Sequence, residues 1–230
     1  MKHNKRKNMK NALIIGASGG IGSALYDYYL TQKNYELVKS LSRSNDGFDI
    51  TSEQNVNSQI DSETSIYDLV IIATGGVQID NDEPEKSIKR LNANAMLNQF
   101  ALNAVGPALI LSRIHKLIPK DRPSHVIVLS ARVGSIEDNN LGGWISYRTA
   151  KAALNQILRT SAIELKRTHP NSCLLAIHPG TVETKMTKKY TSHSKVSANT
   201  AAENIADLIS KNTSTDTGKF YDWAGKIIPW

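Results

Sequence analysis

Short, fully apolar runs alternate along the chain with longer amphipathic segments. ALIIG (12–16) leads into IGSALYDYYLTQ, whose apolar positions recur at helical spacing, and ELVKSL (36–41) follows. LVIIA (69–73) precedes a second long segment, and HVIVLS (125–130) and CLLAIH (173–178) come later. Strands that are apolar on both faces and separated by helices belong to a parallel sheet covered on its two sides. With no repeat, low-complexity linker or break in composition, the economical architecture is one doubly wound α/β domain over 12–230.

One interval is too short for that rhythm. Only SRSND separates ELVKSL from the next strand-like run, GFDI (47–50), which leaves no room for a covering helix. The pattern therefore predicts about seven strands, with the crossover helix after the second strand missing. A polar, weakly patterned helix within 52–64 follows, so this edge of the sheet should be thinly covered.

Composition changes the picture only at the N-terminus. The formal charge is +7, yet residues 1–11 hold Lys2, Lys5, Arg6, Lys7 and Lys10 and no acid. The remainder carries 23 basic against 21 acidic residues, so the charge marks a basic, disordered tail on a near-neutral domain. Nucleic-acid binding is disfavoured, because no aromatic-flanked basic stripe follows the tail. No uninterrupted apolar run approaches the ~20 residues of a membrane span, and no cleavage-site pattern follows the basic start, so a soluble protein is expected. The single Cys173 excludes an intrachain disulfide and fits a reducing cytoplasm. No metal site is expected.

Residues 12–22, ALIIGASGGIG, place Gly16, Gly20 and Gly22 directly after a strand and at the start of a helix. Glycines there allow positive φ and close backbone approach, and the helix N-terminus, with Ser18 and Ile21 beside it, can present N–H groups to a pyrophosphate. No Lys-Ser or Lys-Thr follows, which excludes a nucleoside-triphosphate loop of the Walker type. Arg43 ends the second strand where an acidic residue would otherwise take the ribose 2′-hydroxyl. An arginine suits a 2′-phosphate, so NADP(H) is expected ahead of NAD(H). Asp49 and Ile50, ending the short third run, are candidates to contact the adenine.

In YRTAK, Tyr147 and Lys151 lie four apart and share a helix face. An ammonium beside a phenol stabilises the phenolate and suits it to proton transfer. At this point the chain resembles the short-chain dehydrogenase/reductase family along nearly its whole length. GASGGIG resembles that family's cofactor loop, ATGG (73–76) its N-N-A-G, NAVGP (103–107) its helix asparagine, and HPGTVET (178–184) its P-G-x-V-x-T turn. VGSIEDNNLGGW, NSCLLAIHPGTVET and the ending GKFYDWAGKIIPW resemble the C-factor-like subgroup, related to sniffer-type carbonyl reductases.

The resemblance implies a Rossmann-type fold and carbonyl reduction. Tyr147 would be the general acid, Lys151 would tune it and bind the nicotinamide ribose, and Asn103 would hold a water through a helix distortion near Gly106 and Pro107. Ala73, Gly75, Pro179, Gly180, Val182 and Thr184 would line the cofactor. Long helices around 94–118 and 146–168 imply a homodimer or homotetramer.

Two positions depart from the family. Ala73 replaces an asparagine that ties neighbouring strands, with Thr74 as a partial substitute. Anchored on Gly134, the run Ser130-Ala131-Arg132-Val133-Gly134 puts alanine in the catalytic serine's slot. Ser130, one residue earlier on a strand, should face the other way, while Ser135 follows the glycine in a loop free to turn inward; Ser135, Ser130 or neither assists Tyr147. The substrate loop is expected at 185–197, with Trp144 and Tyr190 as apolar walls and Lys188, Lys189 and His193 as basic groups, followed by a helix at 198–211. Trp223 and Trp230 are expected to pack the C-terminus onto the domain or a neighbouring subunit. The alternative to an enzyme is a catalytically weak, cofactor-binding regulator or signalling protein on the same fold.

Overall fold

The computed structural model describes residues 9–79, 83–184, 187–188 and 194–230. Six strands form one sheet: β1 (Lys10–Ile15), β2 (Tyr35–Leu41), β3 (Leu69–Ile72), β4 (Ser124–Leu129), β5 (Ser172–His178) and β6 (Phe220–Asp222). All neighbours are parallel, in the order β2-β1-β3-β4-β5-β6. The order reverses between β1 and β3, and the crevice at such a switch point is where open parallel sheets bind ligands.

Alternation along the strands divides the core between two faces. Leu13, Ile15, Val70, Ile72, Val126 and Val128 pack with Val56 and Ile60 of α3 (Glu53–Asp61), Ile110 and Leu111 of α5 (Gly106–Ser112), and Leu154 and Leu158 of α6 (Ile145–Thr168). Ala12, Ile14, Leu69, Ile71, Ile127 and Leu129 pack with Leu25 and Tyr29 of α1 (Gly20–Leu30) and Ala202 and Ile205 of α7 (Ala198–Lys211). Period-two burial on both sides is why these strands read as continuous apolar runs.

GFDI does not form a strand, so the sheet has six strands rather than about seven, and β6 at the C-terminus is a short one. A four-residue helix α2 (Arg43–Asp46) ends at Gly47, whose φ of +64° turns the chain. The Asn55 side chain then takes the Asp49 amide at 3.0 Å and the Gly47 carbonyl at 3.0 Å. Those backbone groups are thus satisfied by a side chain instead of a ladder, while Phe48 and Ile50 plug the core. The crossover from β2 to β3 accordingly does carry a helix, α3, which buries only Val56 and Ile60. Lys10 and Asn11, expected in the tail, are the first residues of β1; residues 1–8 lie outside the described residues.

The second long segment is one helical run with a defect. α4 (Ala93–Phe100) passes through a π-helical turn, Ala101–Val105, into α5. Ala93–Ser112 spans 20 residues of mean hydropathy 1.2, enough by length and composition to match a membrane span. It is interrupted by Asn94, Asn98, Gln99 and Asn103 and lies against α6, as a core helix does.

Candidate active site

Each of the strands β1 to β5 carries or leads into a predicted site residue at its C-terminal end. After β1, Gly16 adopts φ +93°, and a Cβ there would lie 2.9 Å from the Ala73 carbonyl carbon beyond β3. A Cβ on Gly22 would lie 2.2 Å from the Gly16 carbonyl oxygen, so the loop closes only with glycine. Gly19, the N-cap of α1, brings no capping side chain, which leaves the first-turn amides for an anion. Ser18 and Gly20 are exposed at this mouth and Ile21 is half-buried beside them. A Cβ on Gly20 would meet Thr184 Cγ2 at 2.8 Å, so the turn after β5 stands directly over the glycine loop. This cradle fits a dinucleotide pyrophosphate.

Beyond β2, Ser42 caps α2 and Arg43 stands exposed at its first turn. The Asp49 carboxylate accepts from the Thr51 hydroxyl at 2.7 Å and amide at 2.9 Å. These bonds, with the nearby Arg43 charge, hold it below the usual carboxylate range. Ile50, expected to cover the adenine, follows Asp49 directly. Its side chain is buried in the core against Gly106, where an added Cβ would come within 2.8 Å.

The groups after β3 converge with α6. Asn103 is fully buried in the π turn; its amide donates to the Gly76 carbonyl at 2.9 Å and its oxygen accepts from the Gly76 amide at 3.1 Å. Gln99, one turn earlier, joins Asn103 at 2.7 Å and the Val77 carbonyl at 2.7 Å. A Cβ on Gly75, whose φ is +134°, would sit 2.6 Å from Asn103 Oδ1 and 3.2 Å from Lys151 Nζ. Lys151 is buried, donates to the Leu129 carbonyl at 3.2 Å and lies 5.9 Å from the centre of the Tyr147 ring. Burial lowers its pKa to about 8. Thr74 does not replace the missing asparagine: its buried hydroxyl makes no hydrogen bond among the described residues.

On the facing side, both serine hydroxyls have partners. Ser130 donates to Asn155 Oδ1 at 2.6 Å. Ser135 accepts from the Asp138 amide at 3.1 Å and points its proton at the Trp230 carbonyl, 3.4 Å away. Ala131 stands between β4 and a 3-10 turn at Arg132–Gly134. Beyond β5, Pro179 leads to Gly180 at φ +81°, where a Cβ would touch Trp223 at 2.8 Å; Val182 is buried and bridges Val196. Trp144 meets Tyr147 edge to face at 6.3 Å, and Trp230 stacks on Phe220 at 5.6 Å. Tyr190, Lys189 and His193 lie outside the described residues.

Sequence reasoning missed three buried polar residues. Asn155 and Gln99 each lie one helical turn from a predicted site residue, Lys151 and Asn103, so the i,i+4 rule could have found both. Glu85 lies in an irregular segment without periodicity, yet it shares a cleft with Ile79, Gln99, Ser146 and Tyr147.

Residues 46–195 match the short chain dehydrogenase family. The chain is 25% identical over 236 residues to the 1-hydroxy-2-glutathionyl-2-methyl-3-butene dehydrogenase of Rhodococcus sp. (strain AD45), covering 96% of this chain and 100% of that one. It is 29% identical over 135 residues to the C-signal of Myxococcus xanthus, covering 59% and 78%. Its fold superposes on the carbonyl reductase Sniffer of D. melanogaster at TM-score 0.81 and 19% identity, covering 96% and 100%. An NADPH-bound carbonyl reductase from chicken fatty liver superposes at TM-score 0.83 and 20% identity, covering 97% and 100%.

Proposed function

The chain belongs to the short chain dehydrogenase family, and from that premise we propose that it reduces an aldehyde or ketone to an alcohol with NADP(H). The observation that carries this reading is the convergence of Tyr147, Lys151, Asn103 and Gly75 beside a glycine cradle closed by Thr184. Gly16, Ser18, Gly20, Ile21 and Gly22 would hold the pyrophosphate, Arg43 the 2′-phosphate, and Pro179, Gly180, Val182 and Thr184 the nicotinamide end. A bound NADPH supplies the hydride.

Tyr147 gives its phenolic proton to the substrate oxygen and is left as phenolate. The buried Lys151 ammonium stabilises that anion, and because burial already weakens its hold on the proton, it can pass one back. Asn103 supplies the next stage. Pro107 offers no amide to the Asn103 carbonyl four residues earlier, and Asn103 would hold a water leading from Lys151 toward solvent. The NADPH named for the chicken reductase supports the cofactor, as Arg43 does. Exposed Leu97, Val105 and Ile163 on the α4–α5 run and α6 support a homo-oligomer.

A second reading, a cofactor-binding regulator of weak activity, is supported by Ala131, by the engaged Ser130 and Ser135, and by the C-signal likeness. NADPH oxidation against a panel of carbonyls separates the two. Tyr147→Phe should lower kcat by about 10²–10⁴-fold with NADPH affinity retained, and NADPH should outperform NADH. Turnover indifferent to that substitution would sink the mechanism; tight NADPH binding without turnover would favour the regulator.

A further inference from the structure

Tyr147 sits in the first turn of α6, and the chain reaches that turn through an unfavourable path. Gly142, Gly143 and Trp144 have φ of +62°, +66° and +51°, three successive left-handed residues. Among the described residues Trp144 is the only non-glycine with positive φ, a conformation that persists only where its surroundings over-determine it. Trp144 is also the N-cap of α6, and its side chain caps nothing.

The missing cap is supplied from 61 residues away. Glu85 Oε2 accepts from the Ser146 amide at 3.3 Å, the second amide of the helix and one that a local N-cap side chain would satisfy. Glu85 Oε1 accepts from the Ser146 hydroxyl, and the Glu85 backbone carbonyl accepts from the Trp144 amide. Arg148 holds the other side of the same bend, donating to the Gly142 carbonyl at 3.2 Å and the Gly143 carbonyl at 3.0 Å. Within the strained turn the Trp144 amide thus goes to Glu85, the Gly142 amide to Asn139 Oδ1 at 3.1 Å, and the Gly142 and Gly143 carbonyls to Arg148. The Glu85 carboxylate, 8% exposed, also places a negative charge at the positive end of the α6 dipole.

We infer that Glu85 is a positioning residue: a remote N-cap that fixes the first turn of α6 and, through Ser146 and Trp144, the attitude of Tyr147. This rests on the reading of Tyr147 as proton donor. Because Glu85 and Tyr147 line one cleft, the substrate wall and the proton donor are set by a single tie.

The test combines kinetics with amide hydrogen exchange on the full chain carrying Glu85→Ala, Glu85→Gln or Ser146→Ala. Misplacing a catalytic group by about 1 Å can cost ~100-fold, so Glu85→Ala should lower kcat by roughly 10–100-fold while NADPH affinity stays within about twofold. Exchange at residues 145–148 should accelerate at least about tenfold. Glu85→Gln, which keeps the shape and one acceptor, should fall between wild type and Glu85→Ala and serves if the latter does not fold. Ser146→Ala added to Glu85→Ala should cost nothing further, because the two act as one tie. Unchanged kcat, or a lost kcat with unchanged exchange in the first turn, would overturn the inference. Should the wild type turn over no carbonyl, the enzyme reading fails, and the exchange data alone then decide whether Glu85 fixes the turn.

Discussion

The two halves of the crevice are built from different materials. On the β1 side the candidate site is backbone: Gly16, Gly20 and Gly22 leave no space for a methyl group, and no side chain caps the first-turn amides of α1. On the β4–α6 side it is side chain: Tyr147, Lys151 and Asn103 converge there, and Gln99, Asn155 and Glu85 are hydrogen-bonded around them. A backbone cradle excludes side chains and so reads as a short glycine motif. A side-chain constellation is spread over distant segments and reads as a motif only where two members share one element, as Tyr147 and Lys151 share α6.

If that division is real, single substitutions should separate rate from affinity. After Tyr147→Phe, the largest effect is expected from Ser135→Ala, whose proton is held by a 3.4 Å contact to Trp230. Removing one such donor should cost on the order of 10²–10³ in kcat with NADPH affinity unchanged. A full loss from Ser130→Ala instead would assign the role to the other hydroxyl, and no loss from either would mean the site works without a serine.

Gly22→Ala makes the opposite cut. Its methyl group would enter the Gly16 carbonyl, and relieving an overlap of that kind costs about 1–3 kcal/mol. Calorimetric NADPH affinity should fall by up to about 100-fold, whereas a variant that binds normally but turns over slowly would blur the comparison. The smallest effect concerns stability. The lysine of the folded protein has a pKa of about 8 against 10.5 for an ordinary one. Below about pH 8 both states carry the proton, and the buried ammonium costs its full penalty. Between about 8 and 10.5 the unfolded chain binds more protons, so stability rises with pH through that window. Denaturant unfolding of wild type against Lys151→Met should show a relative gain of about 2 kcal/mol from pH 8 to 10. A flat difference would mean that Lys151 is hydrated.

How legible these features were followed the same division. The five longer strands and the helix at 198–211 were readable because apolar runs and helical spacing encode burial directly. GFDI misled because Phe48 and Ile50 do bury, yet it is the Asn55 side chain that satisfies the Asp49 amide and Gly47 carbonyl. The packing of Ile50 against Gly106 is a contact between distant segments that no local pattern records. Glu85 was invisible for the same reason. The Tyr147–Lys151 pair was legible because both members lie on one helix face.

The π turn at Ala101–Val105 has one more consequence. Each helical residue advances the side-chain direction by about 100°, so one residue more per turn offsets the phase of everything downstream. Upstream of the offset the run aims Gln99 at the site, and downstream it aims Ile110 and Leu111 at the sheet. Deleting one residue there would restore a regular helix and put the two aims out of register. This helix is therefore a joint whose length is fixed to the residue.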